Sequence, residues 1–114
     1  MSEWDISRKK MSGIAKKEER AILVGVVKSD QSKELVEEYL NELEFLALTA
    51  GAITIKRFVQ SVKSVNSRTF VGQGKAEEIE LYVEEHDIDL VIFDDDLTAK
   101  QTNILEEQFK RKII

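Results

Sequence analysis

Apolar positions fall into short runs that switch between two periods. Arg20 to Val27 (R-A-I-L-V-G-V-V) is a continuous apolar stretch, too short for a helix and rich in β-branched residues, which predicts a strand buried on both faces. After it, Val36, Tyr39, Leu40, Leu43, Ala47 and Ala50 recur at helical spacing; Ser32 is the expected N-cap and Gly51 the left-handed stop. Ala52 to Val62 alternates well enough to predict a second strand, with Ile53, Ile55, Phe58 and Val59 as its apolar members. Ser61 to Thr69 is polar and basic and reads as the mobile loop, with Asn66 and Ser67 as turn formers. Gly74 to His86 predicts a helix with Ile79, Tyr82, Val83 and His86 on one face, and Asp89 to Phe93 a further buried strand. Thr98 and Gln101 form a capping-box pair for a third helix carrying Ile104, Leu105 and Phe109. Lys112 to Ile114 looks like the opening of a fourth strand, as in a piece of a longer protein.

Strands alternating with helices imply right-handed crossovers and an α/β fold: a small, open, mainly parallel four-stranded sheet with helices on both faces. The expected strand order, by analogy with the flavodoxin-like wind, is 2-1-3-4. Residues 1–19 are polar and mixed in charge, with Trp4, Ile6, Met11 and Ile14 as isolated apolar positions, and are expected to be a flexible lead-in to one domain over 20–114.

Composition narrows the class. At 114 residues, 42% hydrophobic and 34% charged, the chain supports one modest core and is not a disordered polymer. It has no cysteine, hence no disulfide or thiolate metal site, and neither a bilayer-spanning apolar run nor the apolar core of a signal peptide. The expected location is the cytoplasm, away from membranes.

A net charge of −5 argues against a general nucleic-acid binder, but the charges are segregated. Lys56 to Lys75 holds five basic residues (Lys56, Arg57, Lys63, Arg68, Lys75) and no acid; Ala76 to Asp96 holds ten acids and no Lys or Arg. Within the basic block, Gly72-Gln-Gly74-Lys75 opens a helix. Backbone N–H groups at a helix start attract anions. A P-loop, however, needs four residues between its glycines and a Ser or Thr after the lysine; here one residue intervenes and Ala76 follows. Glu77 and Glu78 are expected in the first turn, where they would oppose a bound phosphate. Three readings stay open: a structural turn, a nucleotide site, or a backbone-and-lysine surface that touches RNA phosphates.

Asp94, Asp95 and Asp96 stand at a strand's carboxyl end, where open parallel sheets gather ligands, and Asp94 with Asp95 are the weak candidates for holding Mg²⁺. The plainer alternative is a helix start with solvated carboxylates. A receiver-type phosphoacceptor would need a second acidic pair after the first strand, where only Asp30 follows Lys28-Ser29. His86 is the only histidine, so no zinc set and no triad can be assembled. No catalytic residues are assigned.

Three segments carry a family resemblance that covers about residues 20–114. R-T-F-V-G-Q-G-K-A-E-E-I, Arg68 to Ile79, is similar at every fixed position to the R-x-F-x-G-x-G-K-x-E-E-[LI] signature of HflX-type GTP-binding proteins. D-L-V-I-F-D-D-D-L-T, Asp89 to Thr98, resembles a family segment ending in D-D-E-L-S, and E-R-A-I-L-V-G-V, Glu19 to Val26, matches the first strand. The departures are Asp96 for glutamate, Thr98 for serine, Ala99 for a frequent proline, and Ile104 for a frequent asparagine. The resemblance implies a non-catalytic N-terminal regulatory domain that precedes a helical linker and a GTPase domain. GTP and Mg²⁺ would then belong to the parent protein and no cofactor to this part. The implied partners are the large ribosomal subunit with its rRNA and the protein's own GTPase domain. Carried onto this chain, Lys56, Arg57, Lys63, Arg68, Gly72, Gly74 and Lys75 become the candidate RNA-facing set. Two alternatives differ in kind: a small nucleotide- or Mg²⁺-dependent enzyme using the glycine turn with Asp94, and a pure protein-interaction module.

Overall fold

The computed structural model describes residues 18–114. Its elements are β1 (Glu19–Val27), α1 (Lys33–Thr49), β2 (Ala52–Ser61), α2 (Gln73–Glu85), β3 (Leu90–Phe93), α3 (Ala99–Phe109) and β4 (Lys112–Ile113). The lead-in expected over 1–19, Trp4 included, lies outside the described residues except for its last two, of which Glu19 opens β1.

All strand pairs are parallel and the order is β2-β1-β3-β4. β1 is central because it is apolar on both sides: Ala21, Ile22 and Leu23 are fully buried. Its odd residues Ala21 and Leu23 pack with Val36, Leu40 and Ala47 of α1, while Ile22, Val24 and Val26 pack with Ala76, Ile79 and Val83 of α2 and Leu105 and Phe109 of α3. One helix therefore covers one face and two cover the other. Burying each such aliphatic side chain contributes roughly 1.5–3 kcal/mol. Gly25 lies under α1, and a Cβ there would stand 3.1 Å from Leu40 Cδ1, so its lack of a side chain lets α1 approach β1 closely.

Local signals explain the boundaries. Ser32 Oγ accepts from Leu35 N at 3.1 Å, and Gly51 at φ +93° ends the α1 turn. Thr98 and Gln101 form the full capping box of α3, at 3.0 Å and 2.9 Å. Tyr39, expected on the buried face of α1, is instead 44% exposed, because that helix narrows to the Val36–Leu40–Ala47 stripe against the sheet. β2 carries a bulge: Ala21 pairs with Thr54 and Ile22 with Lys56, leaving Ile55 as the extra residue. This explains why the apolar positions of β2 slip from odd (Ile53, Ile55) to even (Phe58). Among the described residues no helix is long and apolar enough to cross a membrane.

Candidate nucleic-acid interface

The polar stretch between β2 and α2 is closed upon itself. Asn66 and Phe70 exchange backbone hydrogen bonds of 3.0 Å, and Asn66 Oδ1 accepts from Arg68 N (2.7 Å) and Thr69 N (3.0 Å). From the far side, Gln101 Nε2 of α3 donates to Asn66 O at 2.9 Å. The segment expected to be a mobile loop is thus a tied turn, held by a residue 35 positions away that the local sequence could not reveal. Its left-handed residue is Phe70, at φ +67°, and not a glycine. A large side chain there is unusual and is held by burial, with the ring edge-on to Phe93 at 6.1 Å between centroids.

The two glycines have different roles. Gly72 is the N-cap of α2, and its N–H donates to Gln60 Oε1 of β2 at 2.9 Å; an added Cβ would come to 3.3 Å from Gln60 Nε2. Above Gly74 the space is open, with nothing within 4 Å of an ideal Cβ. α2 begins at Gln73 and has no side-chain cap and no acid in its first turn. Glu77 and Glu78 therefore fall just past the first turn and not within it, since the helix starts one residue ahead of Gly74. The first backbone N–H groups of α2 face outward under positive dipole potential, with Lys75 beside them. Lys75 Nζ bridges Glu78 Oε1 at 3.0 Å, with the Glu78 side chain exposed and that of Lys75 half-buried.

The seven residues singled out from the sequence divide by environment. Lys56 and Lys75 converge over the Phe58 ring, at 5.5 Å and 6.0 Å from its centroid, on the α2 face of the β2 edge. Arg68 lines a hollow of about 280 Å³ between α2 and α3 with Asn66, Gln73, Glu77, Ile104 and Gln108. Ile104 thereby sets an apolar wall beside Arg68. Lys63 lines a wider hollow of about 620 Å³ at the strand ends, with Lys28, Phe70, Asp95 and Asp96 among its neighbours. Arg57 turns to the opposite face: its guanidinium donates to Glu44 (2.8 Å), Asn41 (2.8 Å) and Glu37 (3.1 Å) of α1. It braces β2 to α1 and is not brought together with the other basic residues.

The three aspartates after β3 do not face one site: Asp94 and Asp95 share one hollow, Asp95 and Asp96 another. Asp95 Oδ2 pairs with Lys28 Nζ at 3.0 Å, and Asp95 Oδ1 accepts from Asp96 N at 3.1 Å. Asp94 and Asp95 together line a hollow with Lys28, Val36 and Tyr39 on the α1 side. Burial pushes the Asp94 carboxyl above its usual range, with Asp95 and then Glu42 adding repulsion. Among the described residues no three His, Cys, Asp or Glu side chains gather to hold a metal. Lys75 stands over Phe58 on the α2 face, so it and Asp94 do not share a pocket. His86 is the C-cap of α2, its ring stacked on Tyr82 at 3.8 Å.

Sequence reasoning missed Gln60, Gln101 and Phe70 as the residues that shape the turn. The signal for Gln101 was absorbed by its capping role, and Phe70 gave no sign of a positive φ because its side chain is bulky.

Known proteins share this pattern. A family profile described as "GTP-binding GTPase N-terminal" matches residues 37–114. The chain is 47% identical over 96 residues to a protein named GTPase HflX from Flavobacterium psychrophilum, covering 84% of this chain and 23% of the relative. It is 42% identical over 104 residues to a GTPase HflX from Caldanaerobacter subterraneus subsp. tengcongensis, covering 91% and 23%. A GTPase HflX from Lacrimispora saccharolytica is 36% identical over 97 residues, covering 85% and 22%. The chain therefore spans under a quarter of the length of the first of these relatives.

Proposed function

The chain belongs to the GTP-binding GTPase N-terminal family, as the N-terminal domain of an HflX-type protein, and from that premise we propose that it is a regulatory and ribosome-contact domain. It works for a GTPase domain elsewhere in the parent protein, which binds GTP with Mg²⁺ and hydrolyses it in the cytoplasm. Residues 20–114 form the domain, and its partners are the rRNA of the large subunit and the parent's own GTPase domain.

The observation that carries this reading is the start of α2: an outward N-terminus without a side-chain cap or an acid in its first turn, open above Gly74 and flanked by Lys75. Backbone N–H groups and a lysine in this arrangement suit a phosphate of a polynucleotide backbone. Arg68 lies within the tied turn, Lys56 shares the Phe58 ring with Lys75, and Lys63 extends the basic surface towards the strand ends. The turn itself is rigidly braced by Gln60 and Gln101, which favours a surface shaped in advance over one ordered on contact. The acidic faces of α1 and α2 would turn away from RNA. The alternative of a nucleotide- or Mg²⁺-dependent enzyme draws no support from the geometry, because Lys75 and Asp94 occupy different faces.

Titrating the 114-residue chain with GTP and Mg²⁺ in a calorimeter should give no binding heat, whereas large-subunit rRNA should bind weakly and lose affinity as salt rises. Replacing Lys75 by Ala should reduce the salt slope by about 1. Nucleotide binding to the chain alone, or RNA affinity indifferent to both salt and Lys75→Ala, would overturn the reading.

A further inference from the structure

The hollow of about 280 Å³ between α2 and α3 brings an arginine and a carboxylate to one space. Arg68 comes from the tied turn and Glu77 from α2, and both are exposed. Lys75 and Glu78 pair across one turn of α2, whereas Arg68 and Glu77 do not pair with each other. Half-buried Ile104 of α3 supplies an apolar wall. Two further sides are held in place: Gln101 Nε2 donates to Asn66 O at 2.9 Å, and Gln108 Nε2 donates to Glu80 Oε1 at 3.1 Å. The hollow is thus shaped before any ligand arrives.

Size and place restrict the occupant. Ligand sites run from about 300 to 1,000 Å³, so this one stands at the small end and suits a single planar heterocycle, not a nucleoside triphosphate. Gln73 lines the hollow and is also the first residue of α2, so the hollow adjoins the helix start assigned to a backbone phosphate. The chemistry selects among heterocycles. A guanidinium is a fork of donors and a carboxylate a pair of acceptors, and each binds best to two adjacent groups of the opposite kind. Guanine has two adjacent acceptors, N7 and O6, on one edge, and two adjacent donors, N1–H and N2–H, on the next. Adenine puts a donor in place of O6 and an acceptor in place of N1–H, opposing both side chains. The pyrimidines lack the N7 edge.

We propose that this hollow receives an unpaired guanine of a single-stranded RNA segment, with Arg68 on N7 and O6, Glu77 on N1–H and N2–H, and Ile104 against the base. The proposal rests on the RNA-contact reading and adds a base preference to it. The start of α2 holds phosphate and supplies affinity, and the hollow supplies selection. It also gives a role to Glu77, a carboxylate that a surface built only for phosphate would not set beside its lysine.

Fluorescence anisotropy of the 114-residue chain with labelled RNA hexamers at low salt tests this. A uridine hexamer with one central guanosine should bind about fivefold or more tighter than the all-uridine hexamer or its central-adenosine counterpart. Central inosine, which keeps N7, O6 and N1–H but lacks the 2-amino group, should fall between. Glu77→Gln, an isosteric change at an exposed position, should bring the guanosine-to-uridine ratio close to one and cancel the gap between guanosine and inosine. Lys75→Ala should weaken every hexamer and keep the ratio. Salt-sensitive binding that is equal for all bases overturns the guanine site and leaves the phosphate contact standing, whereas no binding of any hexamer sinks both. A guanosine preference that survives Glu77→Gln also overturns the proposal. So does free GMP binding as tightly as the guanosine hexamer, since the site then serves a mononucleotide and not RNA.

Discussion

Arg57 and Lys75 look alike as letters in one basic block, and the fold gives them opposite duties. Arg57 makes four hydrogen bonds to three acceptors on α1, while Lys75 stands at the open start of α2. Arg57→Ala should lower stability by about 1–2 kcal/mol in urea denaturation, since it removes a multi-acceptor charged network that is still partly exposed. It should leave RNA affinity unchanged. The distinction was not legible in the sequence because it depends on which side of the bulged β2 each side chain leaves. Asp94 gives a prediction with a definite sign. Its folded-state pKa is raised, chiefly by burial, so the native state binds the proton more tightly than the unfolded chain does. The ionised carboxylate therefore costs stability above the folded pKa, and that cost disappears as pH falls below the unfolded value. Asp94→Asn should stabilise the domain at neutral pH, and thermal melts should show the gain vanishing in acid.

Among the elements, those with local punctuation were the most readable. Ser32, Gly51 and the Thr98–Gln101 pair each mark a boundary within a few residues of the groups they satisfy. Thr98→Ala should cost about 1 kcal/mol by removing the α3 cap. Gln101→Ala should do more than uncap, because Gln101 Nε2 also reaches Asn66 O. Hydrogen exchange at the Phe70 and Thr69 amides, which are held by Asn66, should quicken in Gln101→Ala and not in Thr98→Ala. Equal exchange in both variants would show that α3 does not brace the turn. That brace was invisible in the sequence because it is a tertiary contact, and the same applies to the left-handed Phe70. The Ile55 bulge did leave a trace, the slip in apolar parity along β2, which alternation alone presents as irregularity.

At the scale of the whole molecule, the alternation of strand and helix was enough to obtain the parallel sheet, while its 2-1-3-4 order came from analogy with the flavodoxin-like wind. Charge segregation was legible too, but not its distribution over two faces. With Arg57 drawn to α1, the remaining basic residues lie on or around the α2 side, and the proposed interface contracts to the start of α2 and the tied turn. The central claim is that this surface contacts the ribosome and performs no chemistry. The most direct test is co-sedimentation of the full-length parent protein with large ribosomal subunits at low salt, comparing wild type with Arg68→Ala/Lys75→Ala and with Arg57→Ala, while GTP binding is followed in parallel. The account predicts that the Arg68/Lys75 pair loses subunit association and keeps GTP affinity, and that Arg57→Ala retains both. Undiminished association of the Arg68→Ala/Lys75→Ala protein would contradict it.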